Sequence, residues 1–327
     1  MDLELLAQRL AERDEPAFRA GQVWRWAARG APSYERMTDL SRALRAALAK
    51  EVPFSSLEVV TEERARDGTR KALFRTRDGK PVETVLMRYV DGRRSLCLSS
   101  QSGCPLTCSF CATGRMRFGR NLTASEILDQ ALHFRRTEAV NHAVFMGMGE
   151  PLMNLDAVLD ACRRLPDLGI PARNTAVSTV GWIPGIERLR SSGPPVRLAL
   201  SLHAADDALR SELMPVNDRY PLAAVLDACR RWHAARRRAV FVEYVMLGGV
   251  NDRYEQAEAL ADVLEPRRAF KVNLIPYNPT ESGFRGSTRD AIDAFRAVLE
   301  RRGVRAIVRL TRGRDIDAAC GQLAARG

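Results

Sequence analysis

The chain reads as an α/β protein: a partial (β/α)6 barrel preceded by a small N-terminal helical domain and a β-hairpin extension. Three observations predict this architecture. Apolar residues recur at helical spacing up to about residue 50, the period shortens to two between 55 and about 93, and strand-like and helix-like segments alternate from there on. The expected units are 1–54 (helical), 55–93 (hairpins) and 94–327 (barrel).

In the first unit Leu3, Leu5, Leu6 and Leu10 share a helix face, and Leu40, Leu44 and Leu48 repeat the pattern. Between them, Phe18 to Trp26 mixes aromatic and Arg residues; Trp24 and Trp26 suit either a packed core or stacking on bases. Segments 57–60, 71–75, 82–87 and 96–98 read as strands, punctuated by Asp67-Gly68, Asp78-Gly79 and Asp91-Gly92 turns. Thr123-x-x-Glu126 is a capping box opening a helix with Ile127, Leu128, Ala131 and Leu132 on its apolar stripe. Strands are then expected near 142–147, 174–180, 196–202, 239–247, 270–275 and 304–310, and helices near 155–165, 221–236, 253–265 and 288–302. About six β–α units favour a partial barrel over the eightfold one.

The 327 residues carry a net charge of +11, which suits a polyanionic partner, nucleic acid first. Arg far outnumbers Lys and Ala is abundant, so a coding bias explains the charge as well. No run of about 18 apolar residues is present, and no membrane association is expected. The acidic, amphipathic start is unlike a secretory signal. Seven cysteines, three of them clustered, fit a reducing cytoplasm better than a disulfide framework. The expectation is a cytoplasmic monomer.

Cys104, Cys108 and Cys111 read C-x3-C-x2-C, with Phe110 just before the third Cys. Three such thiolates can hold three irons of a four-iron cluster and leave the fourth iron open to a small chelating ligand. Zinc is the competing occupant, although no second close pair of Cys or His lies nearby. The spacing resembles the signature of the radical S-adenosylmethionine (radical-SAM) superfamily.

Parallel α/β folds bind ligands at the C-terminal ends of their strands, and the remaining motifs fall there. The cysteine loop follows the strand holding Cys97. Gly147-Met148-Gly149-Glu150 follows the next, Ser178 ends another, Ser201-Leu202-His203 another, and 273–278 closes the sixth. Gly-x-Gly-Glu resembles the radical-SAM segment that binds the methionine amine of S-adenosylmethionine, with Glu150 as acceptor and the glycines letting backbone approach the ligand. Of the other cysteines, Cys162 and Cys229 follow Ala in amphipathic helices and read as packing. Cys320 lies in a Gly-rich, charged segment that suggests an exposed, mobile loop, where neighbouring Arg residues would favour its thiolate.

Taken together, the cysteine loop, 147–152, 201–203, 273–279, the Cys320 segment and Arg19 to Trp24 resemble the radical-SAM dual-specificity RNA adenine carbon-2 methyltransferases. The likeness runs nearly end to end. It implies one [4Fe-4S] cluster on Cys104, Cys108 and Cys111, and two S-adenosylmethionine molecules per turnover. The implied substrates are adenosine 2503 of 23S rRNA and adenosine 37 of tRNA, and the implied electron source is a reducing donor such as flavodoxin. Cys320 would first be methylated. A 5′-deoxyadenosyl radical would take a hydrogen atom from that methyl group, and the resulting carbon radical would add to carbon 2. Glu83 matches the base that removes the carbon-2 proton. Cys97 matches the thiol that attacks Cys320, giving a Cys97–Cys320 disulfide. S-adenosylmethionine contacts fall on Gly149, Glu150, Ser178, Ser201, Leu202, His203 and Asn278. Two departures stand out: one extra residue between Glu83 and Cys97, and the bulky Trp182 where the family has a smaller aliphatic residue. The rival readings are an adenine carbon-8 methyltransferase of the resistance type and a non-catalytic iron–sulfur RNA-binding protein.

Overall fold

A computed structural model of the chain describes residues 1–324, so the last three residues of the expected 94–327 unit lie outside the described residues. The chain opens with helices α1 (Leu3–Ala11), α2 (Phe18–Ala28) and α3 (Arg42–Glu51). Asp2 and Ser41 cap α1 and α3 by accepting the amides of Leu5 and Leu44, satisfying donors the helices leave open. Leu6, Leu10, Val23, Leu44 and Leu48 turn inward. Trp24 is 5% exposed, and its indole N–H donates to Asp167 across 2.7 Å, which pins this bundle to the rest of the molecule. Its ring is therefore core. Trp26 is half-buried and donates to Asp39 at 2.6 Å.

Strands β1 (Leu57–Arg64), β2 (Arg70–Thr76) and β3 (Pro81–Arg88) form antiparallel hairpins, with Gly68 and Gly79 at positive φ in their turns. β3 pairs antiparallel with β4 (Arg94–Cys97), and β4 pairs parallel with β7 (His142–Phe145). Between them, the two-residue strands β5 (Gln101–Ser102) and β6 (Arg120–Asn121) close the base of the cysteine loop. Parallel pairing continues through β8 (Thr175–Thr179), β9 (Arg197–Ser201), β10 (Val240–Met246), β11 (Phe270–Pro276) and β12 (Ala306–Val308). Hairpins and barrel strands thus make one ten-stranded sheet, in which Cys97 stands where antiparallel pairing gives way to parallel. The parallel part holds seven strands, β4 and the six expected between 142 and 310.

Helices α4 (Ala124–Arg135), α5 (Leu155–Arg164), α6 (Ile183–Ser192), α7 (Asp207–Leu213), α8 (Leu222–Arg236), α9 (Tyr254–Val263) and α10 (Arg289–Arg301) fill the crossovers. The capping box forms: the Thr123 hydroxyl accepts the Glu126 amide, and Glu126 accepts the Thr123 amide. α4 also receives the helical bundle, because its buried Asp129 pairs with the Met1 ammonium. Cys162 and Cys229 are fully buried in the main core. Among the described residues no helix is long and apolar enough to cross a membrane.

Candidate active site

The C-terminal ends of the parallel strands converge on a cavity of about 140 Å³. Cys104, Cys108, Cys111, Gly149, Glu150, Ser178, Ser201, His203 and Cys320 all line it. The other expected site residues stand apart. The Leu202 side chain is in the core, and Asn278 is 2% exposed and donates from Nδ2 to the Cys320 carbonyl at 3.1 Å. Cys97 packs behind the segment carrying Ala318 and Leu323. Glu83 lines a second cavity with Lys71, Asp317 and Gln322.

Burial governs the thiols. It pushes Cys104 up to about 12 and Cys108 well above the usual thiol range, and their neighbouring thiols raise both further. Among the described residues no three His, Cys, Asp or Glu groups converge tightly enough to grip a single metal ion. Three thiols around one enclosed space suit a larger group carrying its own positive charge, the property of an iron–sulfur cluster.

The segment after β7 is shaped by close backbone approach. A Cβ on Gly147 would come within 2.6 Å of Ser99 Oγ, and one on Gly149, at φ +93°, within 2.5 Å of Gln101 Cβ. These glycines let the segment after β7 pack against residues 98–101, and both also line the cavity. Glu150 is held by protein donors: Oε1 accepts the Leu152 amide at 3.1 Å and Oε2 the Val180 amide at 3.0 Å. Burial still pushes its carboxyl up to about 7, against the pull of those amides and of the Thr179 hydroxyl. With three donors on a carboxylate that has about four acceptor sites, one lone pair is left for an incoming donor.

Ser178 and Ser201 hydroxyls lie 3.4 Å apart. His203 adopts φ +61°, an uncommon conformation for a residue with a side chain. Its Nδ1 accepts the Val245 amide at 3.0 Å, which puts the neutral ring's proton on Nε2. Burial, reinforced by Arg210, lowers its pKa to about 3. Arg210 is itself fully buried, donating to Asn217 Oδ1 and the Val180 carbonyl, each at 2.6 Å.

The Cys320 segment is tied back onto the cysteine loop by hydrogen bonds, while Cys320 itself stays exposed, as the sequence suggests. Ala112 N–H donates to Gly321 O at 2.9 Å, Thr113 Oγ1 to Leu323 O at 2.6 Å, and Gln322 Nε2 to Pro279 O at 3.0 Å. The Cys320 side chain opens into the cavity. Its thiol pKa is raised, burial outweighing the pull of Arg309, so the expected thiolate is not the resting form. Arg314, near in sequence, is turned to Asn278 and Arg312 to Asp67. Cys97 is pushed up to about 12 by burial and then by the Cys320 charge. All described cysteines are free thiols.

Several residues at the site escaped the sequence reading. Glu243, 3% exposed, accepts from Asn273 Nδ2 at 2.7 Å and from Arg309 Nη1 at 3.1 Å. Burial opposes the Arg309 charge, yet Glu243 and the Cys320 thiolate raise its pKa on balance. The signal was a lone carboxylate inside the apolar run Val240–Met246, which a buried parallel strand does not tolerate without a partner. Lys71 and Arg210 carried no such signal. Trp182 lies outside the cavity lining; it packs edge-on against Tyr220 (5.2 Å between centroids) under the Arg219 guanidinium. An aromatic–cation stack at the start of α6 absorbs its bulk.

Residues 98–261 match the Radical SAM superfamily, and residues 1–53 match the ribosomal RNA large subunit methyltransferase N-terminal domain. The chain is 50% identical to a Gemmatimonas aurantiaca protein named "Probable dual-specificity RNA methyltransferase RlmN", over 98% of this chain and 90% of that one. It is 45% identical to the dual-specificity RNA methyltransferase RlmN of Geobacter sulfurreducens, over 99% of this chain and 90% of that one. The crystal structure of a radical SAM methyltransferase from Sphaerobacter thermophilus superposes with a TM-score of 0.94 at 44% identity, covering 100% of this chain and 98% of that one.

Proposed function

The chain belongs to the RlmN family of dual-specificity RNA methyltransferases, within the radical SAM superfamily, and from this we infer that it methylates carbon 2 of adenine in RNA. The substrates assigned are adenosine 2503 of 23S rRNA and adenosine 37 of tRNA. The observation that carries the reading is the single cavity lined by the three loop thiols, the Gly149–Glu150 and Ser201–His203 segments and Cys320.

Cys104, Cys108 and Cys111 would hold three irons of a [4Fe-4S] cluster whose fourth iron takes S-adenosylmethionine; the chemistry it supplies when bound is one-electron cleavage of that molecule. Glu150 offers its remaining lone pair to the methionine amine, and Ser178 and Ser201 offer hydroxyls to the nucleoside. His203 donates only through Nε2, because Val245 occupies Nδ1. Cys320 accepts and carries the methyl group. Burial keeps its thiol neutral at rest, and Arg309 is the cation that favours the thiolate needed for methyl transfer. Glu83 removes the carbon-2 proton. Cys97 then attacks the Cys320 sulfur, the carbon–sulfur bond to it breaks, and a Cys97–Cys320 disulfide remains. The bundle of residues 1–54 and the basic surface hold RNA, with the hairpins of 55–93 carrying the base and 94–327 the radical chemistry. The target adenine must leave its stack to reach this depth. A reducing protein such as flavodoxin supplies electrons to a cytoplasmic monomer.

The test is anaerobic reconstitution with iron and sulfide, then incubation with deuterated-methyl S-adenosylmethionine, reductant and a 23S rRNA fragment. Labelled 2-methyladenosine together with 5′-deoxyadenosine supports the reading. An 8-methyladenosine product overturns the choice of carbon, and labelled RNA from a Cys320→Ala protein overturns the role of Cys320.

A further inference from the structure

The proton that Glu83 would take starts on a side chain only 2% exposed. Sheet register supplies a way out. Glu63 of β1 stands directly opposite Lys71 of β2, and Lys71 stands opposite Val85 of β3, one same-face step from Glu83. The three side chains therefore share one face of the hairpin sheet. Lys71 Nζ lies 3.3 Å from Glu83 Oε1 and 3.2 Å from Glu63 Oε2. Exposure rises along the line, from 2% at Glu83 through 11% at Lys71 to 51% at Glu63. A cross-strand Lys71–Glu63 pair would serve the sheet by itself. Extending it to a buried carboxylate adds a desolvation cost without a folding need.

We propose that Lys71 and Glu63 are the relay that carries the proton from Glu83 to solvent after each methylation. The inference rests on Glu83 being the base. In the step, the Glu83 carboxyl gives its proton to Lys71 as the Lys71 ammonium gives one to the Glu63 carboxylate. Glu63 then releases it to water. One proton moves outward, no electrons change hands, and Glu83 and Lys71 end in their starting charge states. Among the described residues, Glu281 and Asp317 also line the cavity that holds Glu83.

Lys71→Arg decides the matter in the reconstituted holoenzyme, because Arg keeps the positive charge but does not deprotonate. The first turnover on RNA is expected to stay near the wild-type rate, and later turnovers to slow by about tenfold or more, with KM for RNA unchanged. Glu63→Gln is expected to slow later turnovers in the same way. Wild-type steady-state turnover in Lys71→Arg overturns the relay and leaves Lys71 as a holder of charge. Wild-type turnover in Glu63→Gln also overturns it, routing the proton through the cavity instead. Formation of 5′-deoxyadenosine, which needs no base, checks that each variant is folded and loaded. Glu83→Gln separates the two layers: if it methylates normally, the base assignment fails. If it is inactive while Lys71→Arg turns over normally, the relay alone fails.

Discussion

The two cavities of this protein sit on either side of the same C-terminal segment and have opposite characters. The thiol cavity holds Cys320 among Cys111, Met146, Ile275 and Tyr277, and burial there pushes thiols and the Glu150 carboxyl toward their neutral forms. The second cavity holds Glu83 beside the Lys71 ammonium, with Glu83 Oε2 accepting the Ala324 amide at 2.9 Å. The first environment suits radical and thiol chemistry, which gains from excluded water and suffers from stray charge. The second suits proton transfer, which needs a charged base and partner. Segment 317–324 bonds to both, so one stretch of backbone carries Cys320 and reaches Glu83.

The largest effect that would sharpen this contrast is loss of the thiol. Cys320→Ala should reduce RNA methylation to the detection limit while 5′-deoxyadenosine formation persists, measured side by side by mass spectrometry. A variant that methylated RNA would erase the distinction between the cavities. Next, Trp24→Ala should lower stability by about 3–5 kcal/mol, read from the denaturation midpoint, because it empties a core site and orphans Asp167.

Glu150 supplies a pH test. Its folded carboxyl sits at about 7, above its unfolded value of 4.5, so the folded state binds the extra proton between those limits. Stability of the cofactor-free protein should fall as pH rises through that window, by a few kcal/mol. Glu150→Gln should flatten this slope; a slope unchanged in the variant would refute the assignment. Arg309→Met is expected to slow alkylation of Cys320 several-fold at neutral pH, since it removes the cation favouring the thiolate. An equal or faster rate would break the electrostatic account of the thiol cavity. The smallest effect is Thr123→Ala, about 1 kcal/mol from loss of the capping box, measured by chemical denaturation.

Much of this was legible in one dimension because the signals are local. Helix faces, Asp-Gly turns and the Thr123–Glu126 box depend on residues a few positions apart, as does the cysteine spacing. That these motifs sit at strand ends follows from the β–α alternation. Cys320 could be named from its motif, but its state could not. The sequence neighbours Arg312 and Arg314 turn elsewhere, and Arg309, held by Glu243, is the cation that faces the thiol. The Trp182 departure likewise had no one-dimensional explanation, since its partners Arg219 and Tyr220 lie on the far side of β9 and α7.

By itself, then, the sequence determined the order of helices and strands, the three-thiol loop and the family to which the chain belongs. Only the tertiary structure decided which charges face which thiols and how far Glu83 is buried. It alone placed Lys71 between Glu83 and the exposed Glu63. The physical reason is range. Periodicity and capping are set within a few residues, whereas desolvation and charge pairing depend on groups that long crossovers and strand register bring together.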